Sequence, residues 1–253
     1  MPLSRCATPF VGLMLAVAAS SHAQTLTTMS CTDARAQTVR GVQTTNGVIA
    51  NPLKDYALEE IARCANDQNL RRGLKIHLGN AVADFHNADH VARLRRVFAA
   101  ANAYRMAIVI HMRTSACEKI PYGHAEAAIF LSNIVPVAPN VPIQIAHLAG
   151  AAGYNDPQVD AAVTAFVEAI EKDETRQRQL WFDVSSVALG NLTTQRKELL
   201  AQRIRQLGIQ RVLYGSDAPA LDSLRADWTA FRQLPLTERE FATISTNVAP
   251  YMR

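Results

Sequence analysis

No stretch of this chain has the G-x-G-x-x-G or G-x-x-x-x-G-K-S/T spacing. That removes the usual glycine-rich cradles for nucleotide phosphates. No C-x-x-C pair occurs either, and the four cysteines are Cys6, Cys31, Cys64 and Cys117. A zinc finger and a dense disulfide framework are thereby excluded, while one bridge in an oxidising compartment stays open, its pair unassigned. Charge of one sign never runs long. The basic residues are scattered (Arg93, Arg95, Arg96; Arg196, Lys197; Arg203, Arg205) and the formal net charge is +4. This reads as solvated helix faces, with no nucleic-acid partner. The apolar run Phe10–Ala19 is too short for a stable membrane anchor.

What is present is a chain of 253 residues, 49% hydrophobic and 19% charged. That is enough for one large α/β domain or two small ones, globular rather than disordered. Residues 1–23 read as a secretory signal peptide: Arg5, the run Phe10–Ala19, then Ser21-His22-Ala23 as a small-x-small cleavage site. Cleavage removes only one charge, leaving net +3, and implies an exported protein, periplasmic or secreted. Residues 24–47 are polar and patternless, an exposed arm or degenerate N-terminal segment, with an Asn46-Gly47 turn signal at its end.

From Val48 onward strands and helices alternate. Expected strands start near Val48 and cover Gly73–Leu78, Ala107–His111, Pro142–Leu148, Leu180–Val187 and Arg211–Tyr214. Expected helices cover Leu53–Asn66 (opened by Asn51-Pro52), Ala88–Tyr104, Tyr122–Val135, Pro157–Glu171, Thr193–Leu207 and Leu221–Gln233. A Thr237-x-x-Glu240 capping box opens a last helix. Such alternation implies parallel strands with helical crossovers, as a barrel or as an open doubly wound sheet. His111, His147 and Asp217 all fall at strand ends, where barrel enzymes keep their sites. Period-2 alternation puts Ile143, Ile145 and His147 on one face, likewise Ala107, Val109 and His111, and Lys75 with His77. Two imidazoles and a carboxylate suit Zn²⁺ or a similar divalent ion. Asp217 has a rival role as a helix N-cap. Lys75 and His77 either bind a substrate carboxylate or fill a polar layer, and a buried Lys75 also suits Schiff-base chemistry. Asp183 and Ser185 are weaker candidates for the mouth, while His86, His90 and His124 read as surface.

The ordered run GLKIHL, IVIHMRT, PIQIAHLAG, WFDVSS, VLYGSDAP and TNVAPYM resembles the amidohydrolase-related family. This branch of the amidohydrolase superfamily includes metal-dependent hydrolases and decarboxylases of small carboxylated compounds. The resemblance covers Val48 to Arg253. It implies an α/β fold of the (β/α)8 TIM-barrel type and a divalent metal, Zn²⁺ first. It also implies His111 and His147 as metal ligands from the fifth and sixth strands. Asp217 would be the eighth-strand ligand and catalytic proton acceptor for metal-activated water. The family's opening His-x-His strand is missing: no histidine lies between Ala23 and Gly73. The barrel is therefore expected to be incomplete at the N-terminus, with about six recognisable β/α units. The expected function is a metal-dependent hydrolase acting on a small organic substrate, weakened or lost with that strand. The alternatives are a decarboxylase and a non-catalytic remnant. A homo-oligomer would cover the open edge.

Overall fold

The computed structural model describes residues 47–67, 73–217 and 221–252. The leader 1–23 and the arm 24–47, Gly47 excepted, lie outside them. Six strands form one parallel sheet: β1 Gly47–Ile49, β2 Gly73–His77, β3 Ala107–His111, β4 Ile143–Ile145, β5 Leu180–Asp183 and β6 Val212–Leu213. Their spatial order is β1-β2-β3-β4-β5-β6. A doubly wound sheet reverses its order at a switch point. This sheet never does, so it winds in one direction as a barrel does. Among the described residues β1 and β6 are its two edges.

Strands β2 to β6 turn one face to the helices. Leu74, Ile76, Ile108, Ile110, Ile143, Ile145, Leu180, Phe182 and Val212 all belong to the continuous apolar core. Burying each such side chain is worth roughly 1.5–3 kcal/mol. Phe182 packs edge-on against Phe166, ring centroids 5.6 Å apart. Phe166 belongs to the Pro157–Lys172 helix and continues through Phe130 to Phe98. The alternate positions turn to the axis and are more polar: Lys75, His77, Val109, His111, Gln144, Trp181 and Asp183.

The helices start where their caps dictate. Asn87, Asp156 and Thr193 accept backbone N–H groups of the Ala88–Ala103, Pro157–Lys172 and Thr194–Leu207 helices. The Thr237–Glu240 capping box closes in both directions before Glu238–Thr246. Two helices differ from expectation. The first begins at Ala57, not Leu53, because Asn51 Oδ1 accepts from Leu53 N and holds a turn instead. The helix expected over Tyr122–Val135 is α-helical only over His124–Ile129. It then widens into a π turn, Phe130–Ile134, and ends as a 3₁₀ turn, Val135–Val137. Pro136 supplies no N–H and its ring crowds the preceding turn, so the α-helical ladder cannot run through it.

The β4 reading needs correction. The strand stops at Ile145 rather than Leu148. Ile145 is paired with Phe182 and so faces the helices, as does Ile143. Gln144, between them, faces the axis. His147 therefore does not share a strand face with the two isoleucines. Similarly, β5 ends at Asp183 and β6 is only Val212–Leu213. Cys64 is disulfide-bonded and Cys117 is exposed, while Cys31 lies outside the described residues. No helix among the described residues is long and apolar enough to cross a membrane.

Candidate active site

Five residues singled out in the sequence gather where the strands end. His77 and His111 are register partners, the last residues of β2 and β3. Their rings stack with centroids 3.9 Å apart and planes 13° from parallel. The His111 and His147 centroids lie 5.2 Å apart at 67°. His147 Nε2 stands 3.9 Å from Asp217 Oδ2. Lys75 lies two residues before His77 on the same strand face.

His147 arrives by a turn rather than a strand. His147, Leu148 and Ala149 have φ of 53°, 46° and 63°, three consecutive left-handed residues without a glycine. That conformation costs an L-residue roughly 1–2 kcal/mol each. The turn is held from outside. Tyr122 Oη donates to Ala149 O, and Gly150 N donates to His147 O at 2.8 Å. Gly150 is required there: a Cβ would meet Val159 Cγ1 at 2.9 Å and His147 O at 3.1 Å. Asp217 is also left-handed, with φ 51°. Its rival role as an N-cap involves residues 218–220, outside the described ones.

The proton on His147 is fixed by its neighbours. Asp183 Oδ1 accepts from His147 N at 3.0 Å, from Ser185 N at 3.2 Å and from the Ser185 hydroxyl. With its only proton given to Asp183, Ser185 Oγ can only accept from His147 Nδ1, 2.9 Å away, as does Ser185 O at 2.9 Å. The proton therefore sits on Nδ1, and Nε2 turns its lone pair to the mouth. Asp183 Oδ2 accepts from Gln144 Nε2 at 2.7 Å, and Gln144 Oε1 accepts from Tyr251 Oη at 2.7 Å. On His77 the arrangement is reversed: Nδ1 accepts from Asn80 N at 3.1 Å, leaving the proton on Nε2.

Burial sets the charges. His77 is lowered to about 4 by desolvation, then by Lys75 and His147. His111 is held well below the usual histidine range by desolvation, with His77, His147, Lys75 and Arg113 adding to it. Burial lowers Lys75 against the opposing pull of Asp183 and Asp217. Burial pushes Asp183 up, but His147, the Ser185 hydroxyl, the His147 N–H and Lys75 together hold it below the ordinary carboxylate range. Asp217 is raised, burial outweighing His147 and Lys75.

These donors do not fit a three-ligand metal centre as arranged. Ligand atoms about 2.0–2.2 Å from one tetrahedral ion lie about 3.3–3.6 Å apart. The His147–Asp217 pair, at 3.9 Å, approaches that spacing. The stacked His77 and His111 rings have nearly parallel planes, so their in-plane lone pairs do not converge on one point. Among the described residues no three His, Cys, Asp or Glu side chains gather within reach of one ion.

Asp183 and Ser185, weak candidates from sequence, are the centre of the network. Gln144 and Tyr251 were missed. Gln144 had a signal, the one polar residue inside an apolar strand; Tyr251, 107 residues away, had none. His86 and His124 bind Glu126 and Glu168 on the surface. His90 Nδ1 accepts from Asp84 N, also outside the site.

A family model described as Amidohydrolase matches residues 14–244. No curated protein sequence matches the chain. Among solved structures, one similar fold is a 2,6-dihydroxybenzoate decarboxylase complexed with 2,6-dihydroxybenzoate: TM-score 0.51, 15% identity, 89% of this chain and 79% of that chain. Another is a 2,6-dihydroxybenzoate decarboxylase from Rhizobium: TM-score 0.50, 15% identity, 89% and 80% coverage. A third is an amidohydrolase from Burkholderia multivorans with bound zinc: TM-score 0.50, 13% identity, 83% and 74% coverage. The chain spans 60% of the length of a 5-carboxyvanillate decarboxylase from Sphingomonas paucimobilis, at 17% identity and TM-score 0.48. At these identities the structural likeness is one of fold alone. The match across residues 14–244, together with the one-way winding of six parallel strands, shows that the chain belongs to the amidohydrolase family.

Proposed function

We propose that this chain binds a small carboxylated organic compound at the strand ends and moves a proton on it through Asp217 and His147, with decarboxylation as the net reaction. The observation that carries this reading is the 3.9 Å approach of His147 Nε2 to Asp217 Oδ2, with the His147 proton fixed on the far nitrogen. The burial that raises Asp217 favours its protonated form at the mouth. Asp217 gives that proton to the carbon bearing the carboxylate. The C–C bonding pair returns to the substrate, CO₂ leaves, and His147 passes a solvent proton back to Asp217. In this reading His77 Nε2–H orients the carboxylate. The decarboxylases of similar fold support the reading by analogy only.

A divalent ion, Zn²⁺ first, belongs to the family expectation. The spacing of the described donors does not support a three-ligand site, so no step here is routed through a metal. Hydrolysis by metal-activated water is accordingly the weaker reading. A barrel that binds without turnover is a second reading, favoured by the same failure of three donors to converge.

The test is a panel of hydroxybenzoates and aliphatic carboxylates incubated with the purified full chain in D₂O. Decarboxylation is expected to leave one deuterium at the vacated carbon. Asp217→Asn is expected to abolish it, and His147→Ala to slow it about 100-fold or more. Binding by calorimetry without turnover favours the second reading, and neither binding nor turnover overturns both. Export after cleavage at Ala23 is a separate proposal, tested by N-terminal sequencing of protein recovered from a bacterial periplasm.

A further inference from the structure

Among the described residues Lys75 is the one cation on the axial face of the sheet, mid-strand in β2 and paired in register with Val109 of β3. Its ammonium makes no hydrogen bond and no ion pair among the described residues. Asp183 and Asp217 act on it only at a distance. The residue is half-buried, and its unbonded nitrogen is not sealed from solvent. The sealed, unpartnered side-chain polar atom among the described residues is Trp181 Nε1. A desolvated ammonium with no close anion is costly, and the inexpensive resolution is the neutral amine. A neutral primary amine that a small molecule can reach is a nucleophile. The other lysines lack this setting: Lys54, Lys119 and Lys172 are exposed, and Lys197 donates to Gln233 Oε1 at 2.8 Å.

We propose that Lys75 captures small carbonyl compounds at the mouth of the barrel, forming an imine through Nζ. The Nζ lone pair adds to the carbonyl carbon and the C=O π pair moves to oxygen, which takes a proton. That oxygen then leaves as water, the nitrogen gives up its second hydrogen, and a C=N bond remains. No oxidant or reductant is consumed. His77 lies two residues along the same strand face and carries its proton on Nε2, the nitrogen that Asn80 leaves unbonded. Small aldehydes and keto acids are the substrate class. The capture requires no turnover, so its test does not depend on the decarboxylase reading.

The experiment is reductive trapping of the full chain with glyoxylate and sodium cyanoborohydride, read by peptide mapping. Hydride from the reagent converts the imine to a stable secondary amine. Lys75 is expected to be labelled about tenfold or more ahead of Lys54, Lys119 and Lys172, because burial without a close anion leaves more of it as free amine. Lys75→Arg keeps a cation without a primary amine. It is expected to lose that label alone, with circular dichroism confirming the fold and Lys75→Met replacing it if the arginine does not fit. Labelling of Lys75 no faster than the three exposed lysines overturns the proposal. So does the same labelled peptide in a folded Lys75 variant.

Discussion

His77 and His111 face each other across β2 and β3 as stacked rings, centroids 3.9 Å apart and 13° from parallel. Two imidazolium ions could not share that contact, so the stack requires at least one neutral ring. The lowering of His77 to about 4, by burial first and then by Lys75 and His147, agrees with this. The folded value lies below the ordinary 6.5, so the unfolded chain takes up protons first. The stability contributed is therefore fully present above about pH 6.5 and is lost as pH falls toward 4. Urea denaturation between these limits is expected to show declining stability, with a flatter profile for His77→Phe. Identical slopes in the two proteins would remove His77 as a cause.

Metal binding follows from donor spacing. Among the described donors at the strand ends, the pair that approaches a common-ion separation is His147 with Asp217, at 3.9 Å. Titration calorimetry of the full chain is expected to give Zn²⁺ a dissociation constant no tighter than micromolar, about −8 kcal/mol or weaker. His147→Ala is expected to abolish what binding there is. Nanomolar affinity would falsify the donor arrangement described above.

Gly150 sits where the His147 turn meets the Pro157–Lys172 helix. Gly150→Ala puts a methyl 2.9 Å from Val159 Cγ1. The expected loss is about 1–3 kcal/mol, the usual cost of overpacking, read as a lower urea midpoint. The His147 ring resonances should shift with it, and a variant as stable as wild type would mean that the helix yields freely.

Asp227 lies 1% exposed in the Leu221–Phe231 helix. It accepts from Ser186 N at 3.0 Å and from Tyr214 Oη at 3.1 Å. Burial outweighs these bonds and raises it to about 6. For a raised carboxyl the stabilisation is fully present below the ordinary value of 3.8 and is lost as pH rises through about 6. Asp227→Asn is expected to flatten the pH dependence across that window and to match or exceed wild-type stability at neutral pH. A variant that loses stability at neutral pH while keeping the slope would contradict this.

Much of the fold was legible because period and punctuation agree. The apolar run of β3 matches its bounds, that of β2 overshoots by Leu78 alone, and both give the inward face of Lys75, His77, Val109 and His111. The Thr237–Glu240 cap was readable for the same reason. Legibility failed where backbone geometry overrides periodicity. Nothing in AHLAG announces three left-handed residues, so β4 was read too long and its inward face wrongly, which hid Gln144. Pro136, in contrast, was a visible warning against an unbroken helix. The Tyr251–Gln144–Asp183 chain links residues far apart in sequence, and only packing brings them together.

The left-handed turn after β4 separates two jobs that a straight strand would combine. The strand holds the sheet and the turn aims His147. Substitutions at Gln144 can therefore change the axial face of the sheet without altering the turn that carries the imidazole. A one-residue insertion between Ile145 and His147, in contrast, would leave the sheet intact and misdirect the ring. Over evolutionary time, drift should be tolerated in the strand and punished in the four residues that follow it.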